Sequence, residues 1–349
     1  MHDYSAMECP FNSSKTPAYY GTYLAVDKLL GLQNPLSLVE GRLRAHDEML
    51  FIIIHQTYEL WFKQILHELQ ACCEVLQQPS ADDNGPDMNV VVHRLRRIVE
   101  IWKVLNHQVD VLETMTPLDF LDFRSSLEGA SGFQSTQFRQ IEATLGLRME
   151  NRFRPDYYKH TEMGGFSPAD YSVIVEAEKT TTLLQLVEQW LVRMPFFQES
   201  FWEDWDEHQV DETANTKELK FWSQYRKLCE ASLSDRDEKE DLLGKFDETF
   251  FKTGAGDFSP ASLRAALFIM LYRDEPLFRL PFALLNTLIE IDAFVPPGDP
   301  RLDRFRAQLE PALYRVLRFG GYAVPLSPSL LVTPKTAGRT PVAAAVAKV

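Results

Sequence analysis

An all-α fold is predicted by three features of the sequence. Four long stretches place apolar residues at steps of three and four, the spacing that puts them on one face of a helix. Two helices begin with a cap residue followed by proline, Thr116–Pro117 and Ser259–Pro260, where the missing N–H of proline costs no hydrogen bond. With 45% hydrophobic residues in a chain of 349, a substantial core can be buried. The predicted helical stretches are 46–69, 88–112, 171–195 and 259–292.

The stretch His46–Leu69 organises the predicted fold. Its buried face is predicted to carry Leu50, Ile53, Ile54, Thr57, Tyr58, Trp61, Ile65 and Leu69. Phe51 and His55 lie on an adjoining stripe with other aromatic residues, so an imidazole stands beside aromatic rings. Such surroundings favour the neutral imidazole and suit a planar apolar ligand. The alternative is a hydrogen-bonded core histidine that binds no ligand.

The charge balance limits the partners of the protein. The 36 basic and 50 acidic residues give a net charge of −14, which argues against a nucleic acid or an anionic membrane. A small molecule or another protein is expected instead. The four cysteines, at 9, 72, 73 and 229, show neither metal-site nor disulfide spacing, and no run approaches the roughly 18–20 apolar residues of a membrane span. A cytoplasmic protein with reduced thiols is expected.

Composition predicts how the chain is divided. Residues 1–18 are polar and are predicted to form a flexible leader. Residues 19–294 are predicted to form one helical domain, with the densely charged 201–256 as a solvent-exposed helical insertion. Residues 295–349 hold eight of the 20 prolines and eight basic against three acidic side chains. This tail is predicted to be divergent and partly disordered.

The helix that begins at Thr116–Pro117 carries a candidate carboxylate clamp. Phe120 and Arg124 fall four residues apart on one side of this helix. A guanidinium group offers two parallel donors to a carboxylate and stacks readily on an aromatic ring. The alternative is an ordinary surface salt bridge of Arg124.

Four segments together resemble the tryptophan 2,3-dioxygenase family. They are YGTYL at 20–24, HDEMLFIIIHQTYELWFKQ at 46–64, MTPLDFLDFR at 115–124 and ASGFQS at 130–135, in the same order as in the family. The resemblance implies an all-α, helical heme-dioxygenase-like bundle that uses heme b and O2 to convert L-tryptophan to N-formyl-L-kynurenine. It also implies a cytoplasmic homotetramer, with the small helical subdomain of eukaryotic members at 201–256.

The resemblance also assigns roles to individual residues. His55 would be the catalytic residue that hydrogen-bonds the indole N–H, and Arg124 would hold the substrate carboxylate. Residues of the N-terminal segment would cross to a neighbouring subunit and contact its substrate. The substrate-binding residues implied in this way are Phe51, Ile52, Ile53, Ile54, His55, Phe120, Arg124, Tyr20, Tyr23 and Leu24.

One feature of the family is missing from the sequence. Family members ligate the heme iron through a histidine that would follow residue 292, and a GTGGSSG-type loop comes after it. Here the last of the eight histidines is His208, so no axial ligand is identifiable and no metal-binding residue is assigned. The compositional break at Val295 suggests a shifted reading frame, a missed exon or an alternative splice.

Three functions follow from this departure. The first is the heme-dependent dioxygenase itself. The second is a catalytically inactive isoform or paralogue that keeps the fold and the subunit assembly, in which Cys229, a tyrosine or a methionine could replace histidine on the iron. The third is a helical scaffold without a ligand, which composition alone allows.

Overall fold

The computed structural model describes residues 18–39, 42–43, 45–79, 85–147, 165–194, 216–232, 239–254 and 258–293. Of the predicted leader, residues 1–18, all but residue 18 lie outside these ranges, and so does the predicted tail, residues 295–349. Within the described residues the chain separates into two compact units. The first, here the N-terminal unit, consists of the residues up to Gln56 and Leu112–Glu128. The second, here the helical core unit, consists of Thr57–Val111 and the residues from Gly129 onward.

Regular structure in the described ranges is almost entirely helical, and the predicted all-α fold is confirmed. A two-stranded antiparallel sheet pairs β1 (Leu38–Val39) with β2 (Arg42–Leu43), Leu38 lying opposite Leu43. Single turns of other helix types occur at Ser125–Leu127, Gly132–Gln134, Glu248–Lys252 and Pro276–Phe278. The α-helices are α1 (Tyr20–Tyr23), α2 (Val26–Leu29), α3 (Glu48–Leu76), α4 (Pro86–Leu112), α5 (Pro117–Arg124), α6 (Thr136–Leu145), α7 (Pro168–Lys179), α8 (Leu183–Val192), α9 (Lys217–Ser232), α10 (Lys239–Asp247), α11 (Pro260–Leu271) and α12 (Arg279–Ala293).

The helical core unit is built around α11. Residues on every side of α11 are buried, as expected of a helix surrounded by other elements. Its neighbours include α8 and the turn Glu248–Lys252, while α6 packs on α7. Apolar residues at helical steps in the second half of the predicted stretch 171–195 predict a buried stripe, which lies on α8 and is confirmed, because each of its members is at most 4% exposed. These members are Leu183, Leu184, Leu186, Val187, Trp190 and Leu191.

A buried carboxylate joins α3 to α4 in the same unit. Glu68 is 0% exposed and accepts hydrogen bonds from Arg94 at 2.8 Å, Arg97 at 2.6 Å and Gln64 at 2.6 Å. In the sequence, Arg94, Arg96 and Arg97 form a charge cluster, which by itself predicts a solvated face of α4. That expectation was incomplete, because two of its members neutralise a carboxylate on another helix.

The predicted helix 171–195 is wrong as a single element. Helix α7 ends at Lys179 and α8 begins at Leu183. The Thr182 hydroxyl accepts from the backbone N–H of Gln185, and the Gln185 side chain accepts from the backbone N–H of Thr182. This reciprocal cap starts a new helix, because it satisfies backbone groups that a continuous helix would have paired internally.

The alternation of apolar and charged residues within 19–33, at Leu24, Asp27, Leu29 and Leu30, predicts one short amphipathic helix, but the chain there is divided into α1 and α2. Ala25 lies between them with φ 51° and ψ 42°, in the left-handed region that a residue with a Cβ atom rarely adopts. No residue of either helix is buried.

The described part of the charged segment 201–256 contributes to the core. Helices α9 and α10 carry aromatic residues that are at most 1% exposed, namely Phe221, Trp222, Tyr225 and Phe246. The expectation of a plainly solvent-exposed insertion is wrong for these side chains, because aromatic residues among the charges point inward. The boundaries of the insertion stay a prediction.

Apolar residues at helical steps predict that Ile53 lies on the buried face of α3 and Val109 on that of α4, but both are exposed. Ile53 of α3 is 43% exposed and Val109 of α4 is 39% exposed. Ile54, Ile65 and Leu69 are buried as predicted, at 5% or less. The described helices include none that is both long and apolar enough to cross a membrane.

Candidate active site

The first component of the candidate site is the pair Phe51 and His55 on α3. They lie four residues apart, so their rings stack along one side of the helix with centroids 4.0 Å apart. Nδ1 of His55 lies 2.7 Å from the backbone carbonyl oxygen of Phe51. A carbonyl oxygen can only accept a hydrogen bond, so Nδ1 carries the proton in this contact. In the neutral ring, Nε2 is therefore left as a hydrogen-bond acceptor.

The second component is α5, which begins as predicted. The Thr116 hydroxyl accepts from the backbone N–H of Asp119, and the Asp119 carboxylate accepts from the backbone N–H of Thr116. Pro117 occupies the first helical position. This cap fixes the start of an eight-residue helix that carries Phe120, Phe123 and Arg124 close together.

Three phenylalanines from the two helices form an aromatic cluster in the N-terminal unit. The ring of Phe51 lies 5.9 Å from that of Phe120 and 5.5 Å from that of Phe123. Phe120 and Phe123 meet edge to face, at 5.4 Å and 86°. These separations are within the range in which aromatic pairs attract. The cluster offers flat apolar surface next to the His55 imidazole.

Phe123 was missed by sequence reasoning. Phe123 is 0% exposed, and its ring contacts those of Phe51 and Phe120. It is therefore the buried member of the cluster, against which the other two rings pack. Its position three residues after Phe120 in the same short helix was the available signal, since residues three apart share a helix face.

Arg124 lies at the edge of this cluster. Its guanidinium carbon is 5.9 Å from the centroid of the Phe120 ring, within reach of a cation–π contact. The side chain is exposed, and among the described residues it forms no salt bridge. The surface salt bridge considered as an alternative is therefore not seen in the described part of the chain. The guanidinium keeps its donors available to a carboxylate.

The remaining predicted site residues are not gathered into the cluster. Consecutive helix residues point about 100° apart, so Ile52, Ile53 and Ile54 cannot all face the surface that Phe51 and His55 share. Ile54 is buried and Ile53 is exposed. In the N-terminal segment, Tyr20 is 73%, Tyr23 is 78% and Leu24 is 46% exposed. Their predicted contact is with another subunit, so it stays a prediction.

A carboxylate at the start of α3 holds the chain that leads into it. Glu48 is 1% exposed and accepts from the backbone N–H groups of Leu36 at 2.7 Å and Ser37 at 2.9 Å. Burial alone would raise the pKa of Glu48, but hydrogen bonds from the side chain and backbone of Ser37 and from the backbone of Leu36 lower it below its ordinary value of 4.5. The ionised carboxylate therefore fixes the turn of α3 that precedes Phe51.

The described residues contain few groups suited to bind a metal ion. No cluster of three histidine, cysteine, aspartate or glutamate side chains is found among them. Four of the described histidines are exposed, at 46, 67, 93 and 107, and His55 uses Nδ1 on a backbone carbonyl. Burial raises the pKa of Cys72 to about 12 and those of Cys73 and Cys229 to about 11, so these thiols stay protonated.

Taken together, the fold and the site define a class of protein: an all-α protein in which an aromatic cluster lies beside an imidazole and an exposed guanidinium, an arrangement suited to a planar aromatic ligand that carries a carboxylate. The aromatic cluster supplies the flat surface, Nε2 of His55 supplies an acceptor, and Arg124 supplies a cation.

Comparison with known proteins identifies the family. The family model described as tryptophan 2,3-dioxygenase matches residues 5–296. The tryptophan 2,3-dioxygenase of Alteromonas mediterranea is 41% identical over 303 residues, covering 79% of this chain and 78% of that protein. Those of Dictyostelium discoideum and Mus musculus are each 40% identical over 294 residues, covering 80% and 81% of this chain and 71% of each relative. The chain belongs to the tryptophan 2,3-dioxygenase family.

Proposed function

We propose that this protein cleaves the indole ring of L-tryptophan with O2 and releases N-formyl-L-kynurenine. Family membership supports this reaction, because the match extends over about four-fifths of the chain. The observation that carries the proposal for the site is the grouping of Phe51, His55, Phe120 and Arg124 within one unit. The alternative of a catalytically inactive isoform is not favoured, since the relatives matched over this length are tryptophan 2,3-dioxygenases.

Substrate recognition is proposed to use three kinds of contact. Arg124 pairs with the carboxylate, for which its guanidinium has parallel donors. The indole ring lies against Phe51 and Phe120, whose faces offer apolar contact. The indole N–H donates to Nε2 of His55, which is an acceptor when Nδ1 donates to the Phe51 carbonyl. These contacts fix both ends of the substrate, so the ring is held in one orientation for reaction.

His55 performs this role only in its neutral form. Protonation places a hydrogen on Nε2 and removes the acceptor that the indole N–H requires.

The family implies heme b as the cofactor, and we propose it for this protein on that ground. The donors available in the described residues do not fit the iron. The histidines at 46, 67, 93 and 107 are exposed, His55 is committed to the substrate site, and the described cysteines are neutral thiols. The predicted loss of the family's iron ligand concerns a region outside the described residues. The role of the described residues is therefore to bind and orient the substrate.

Assembly and location are proposed from the family. A homotetramer would bring the exposed Tyr20, Tyr23 and Leu24 of one subunit to the substrate of another. A cytoplasmic location agrees with the three described cysteines, which are free thiols.

Two variants of the full chain supplied with hemin test this function. The wild type should form N-formyl-L-kynurenine from L-tryptophan, and His55→Ala should slow turnover by about 10-fold to 100-fold, the effect of losing one positioning contact at a reacting substrate. His107→Ala is the matched control, because His107 lies on the surface with a side chain 83% exposed. Absence of product from the wild type would contradict the proposed reaction. Loss of bound porphyrin in His55→Ala would contradict the substrate role of His55.

A further inference from the structure

A pair of glutamine side chains joins the N-terminal segment to α3 beside the candidate site. Gln56 follows His55 directly in the chain. Its Oε1 accepts a hydrogen bond from Nε2 of Gln33 at 2.6 Å, and its own Nε2 donates to the backbone carbonyl of Leu32 at 3.2 Å. Nε2 of Gln33 also donates to the carbonyl of Leu29, at 3.0 Å. The amide of Gln56 therefore uses both its donor and its acceptor on residues 32–33.

The N-terminal segment, residues 18–33, contains no buried residue, and Glu48 anchors the chain only beyond it, at Leu36 and Ser37. No residue of α1 or α2 is buried, and each of these helices has four residues, which is too short to be stable alone. The two helices are joined through Ala25, whose left-handed backbone costs free energy that other contacts must offset. Polar links to α3 therefore matter more here than they would for a segment with its own apolar core.

The linked segment and the candidate site share one stretch of α3. His55 and Gln56 are consecutive, so their side chains leave the helix about 100° apart. The His55 side contacts Phe51, and the Gln56 side contacts residues 32–33. A shift of this turn would move both the imidazole and the anchor of the N-terminal segment.

We propose that Gln56 is a positioning residue, which latches the N-terminal segment through Gln33 and Leu32 so that Tyr20, Tyr23 and Leu24 are presented in a fixed arrangement for substrate binding. This inference rests on the proposed function, since it assigns those three residues to the substrate site. Gln56 itself acts through the segment and does not touch substrate.

A double-mutant cycle with Gln56→Leu, Gln33→Leu and the double variant tests the latch. Hydrogen–deuterium exchange would follow the amides of Leu29 and Leu30, which donate to Ala25 and Val26 at 2.9 Å. Each single variant should speed their exchange by about fivefold to tenfold. The effect of the double variant should fall short of the product of the two single effects, because both single variants remove the Gln33–Gln56 hydrogen bond, while each also removes one bond of its own, to Leu29 or to Leu32. Additive effects, or unchanged exchange in Gln56→Leu, would overturn the latch.

Calorimetric titration with L-tryptophan tests the functional part. Gln56→Leu should weaken binding by about fivefold to tenfold, while the α3 amide of Phe51 keeps its exchange rate. Gln70→Leu is the matched control, because Gln70 is an exposed glutamine of α3 whose amide pairs with Glu74 at 2.9 Å, and it should change neither quantity. Faster exchange with unchanged tryptophan affinity would overturn the positioning role. A wild type that binds no tryptophan would contradict the proposed function, while the exchange cycle would still decide whether the latch exists.

Discussion

Replacing Arg124 by alanine should weaken binding of L-tryptophan about 30-fold without weakening binding of tryptamine. Hydrogen bonds to a charged group contribute about 1.5–3 kcal/mol. The exposed position of Arg124 places its contribution in the lower half of that range, at about 2 kcal/mol, and each 1.4 kcal/mol is about a factor of ten in affinity. Tryptamine has the same ring and amine but no carboxylate, so it gains nothing from the guanidinium.

Isothermal titration calorimetry of both ligands on wild type and variant measures this difference. The affinity of Arg124→Lys for L-tryptophan should lie between those of the wild type and Arg124→Ala, because an ammonium group keeps the charge but loses the parallel donors. Arg96→Ala is the control, since Arg96 is an exposed arginine of α4 outside the N-terminal unit. Equal losses for tryptophan and tryptamine would refute the carboxylate role, because they would show that Arg124→Ala damages the site as a whole.

Three further predictions concern stability, each measured by denaturant unfolding. Glu48 has a lowered pKa, so its stabilising effect is complete above pH 4.5 and is lost as the pH falls through the lowered value; Glu48→Gln should remove this acid dependence. Glu68→Gln should cost about 3 kcal/mol, because Arg94 and Arg97 lose their buried counter-charge while staying partly exposed. Phe123→Ala should cost about 3–5 kcal/mol, and Phe123→Leu clearly less.

Parts of the structure fixed by local chemistry could be predicted from the sequence. The start of α5 follows from Thr116 and Pro117, whose cap and fixed φ act within four residues. The apolar stripe of α8 follows from helical spacing alone. The juxtaposition of Phe51 with His55 follows in the same way, because residues four apart share a helix face.

Features that depend on contacts between distant residues could not be predicted. Arg94 and Arg97 looked like surface charges, since their partner Glu68 lies on another helix and is 26 and 29 residues away. Ile53 fits the apolar spacing of α3 but is exposed. The spacing shows which residues share one face of the helix, but it does not show how much of that face neighbouring elements cover. The contact of Phe51 with Phe123 joins two helices, and spacing within either one does not show it.

The two helix breaks could not be predicted from the spacing of apolar residues either. The helix predicted over 171–195 runs through the threonines at 180–182, yet the chain leaves one helix and starts another there, because Thr182 and Gln185 cap each other. At Ala25 the break lies in a left-handed residue that carries a Cβ atom, and no glycine marked the position. In both places the local backbone conformation ends a helix that the spacing of apolar residues does not show to end.

The most direct test of the account is a crystal structure of the protein with L-tryptophan bound. The carboxylate is expected within hydrogen-bond distance of the Arg124 guanidinium, the indole ring against Phe51 and Phe120, and the indole nitrogen within hydrogen-bond distance of Nε2 of His55. Tryptophan bound away from these residues, or with its indole N–H turned from His55, would contradict it.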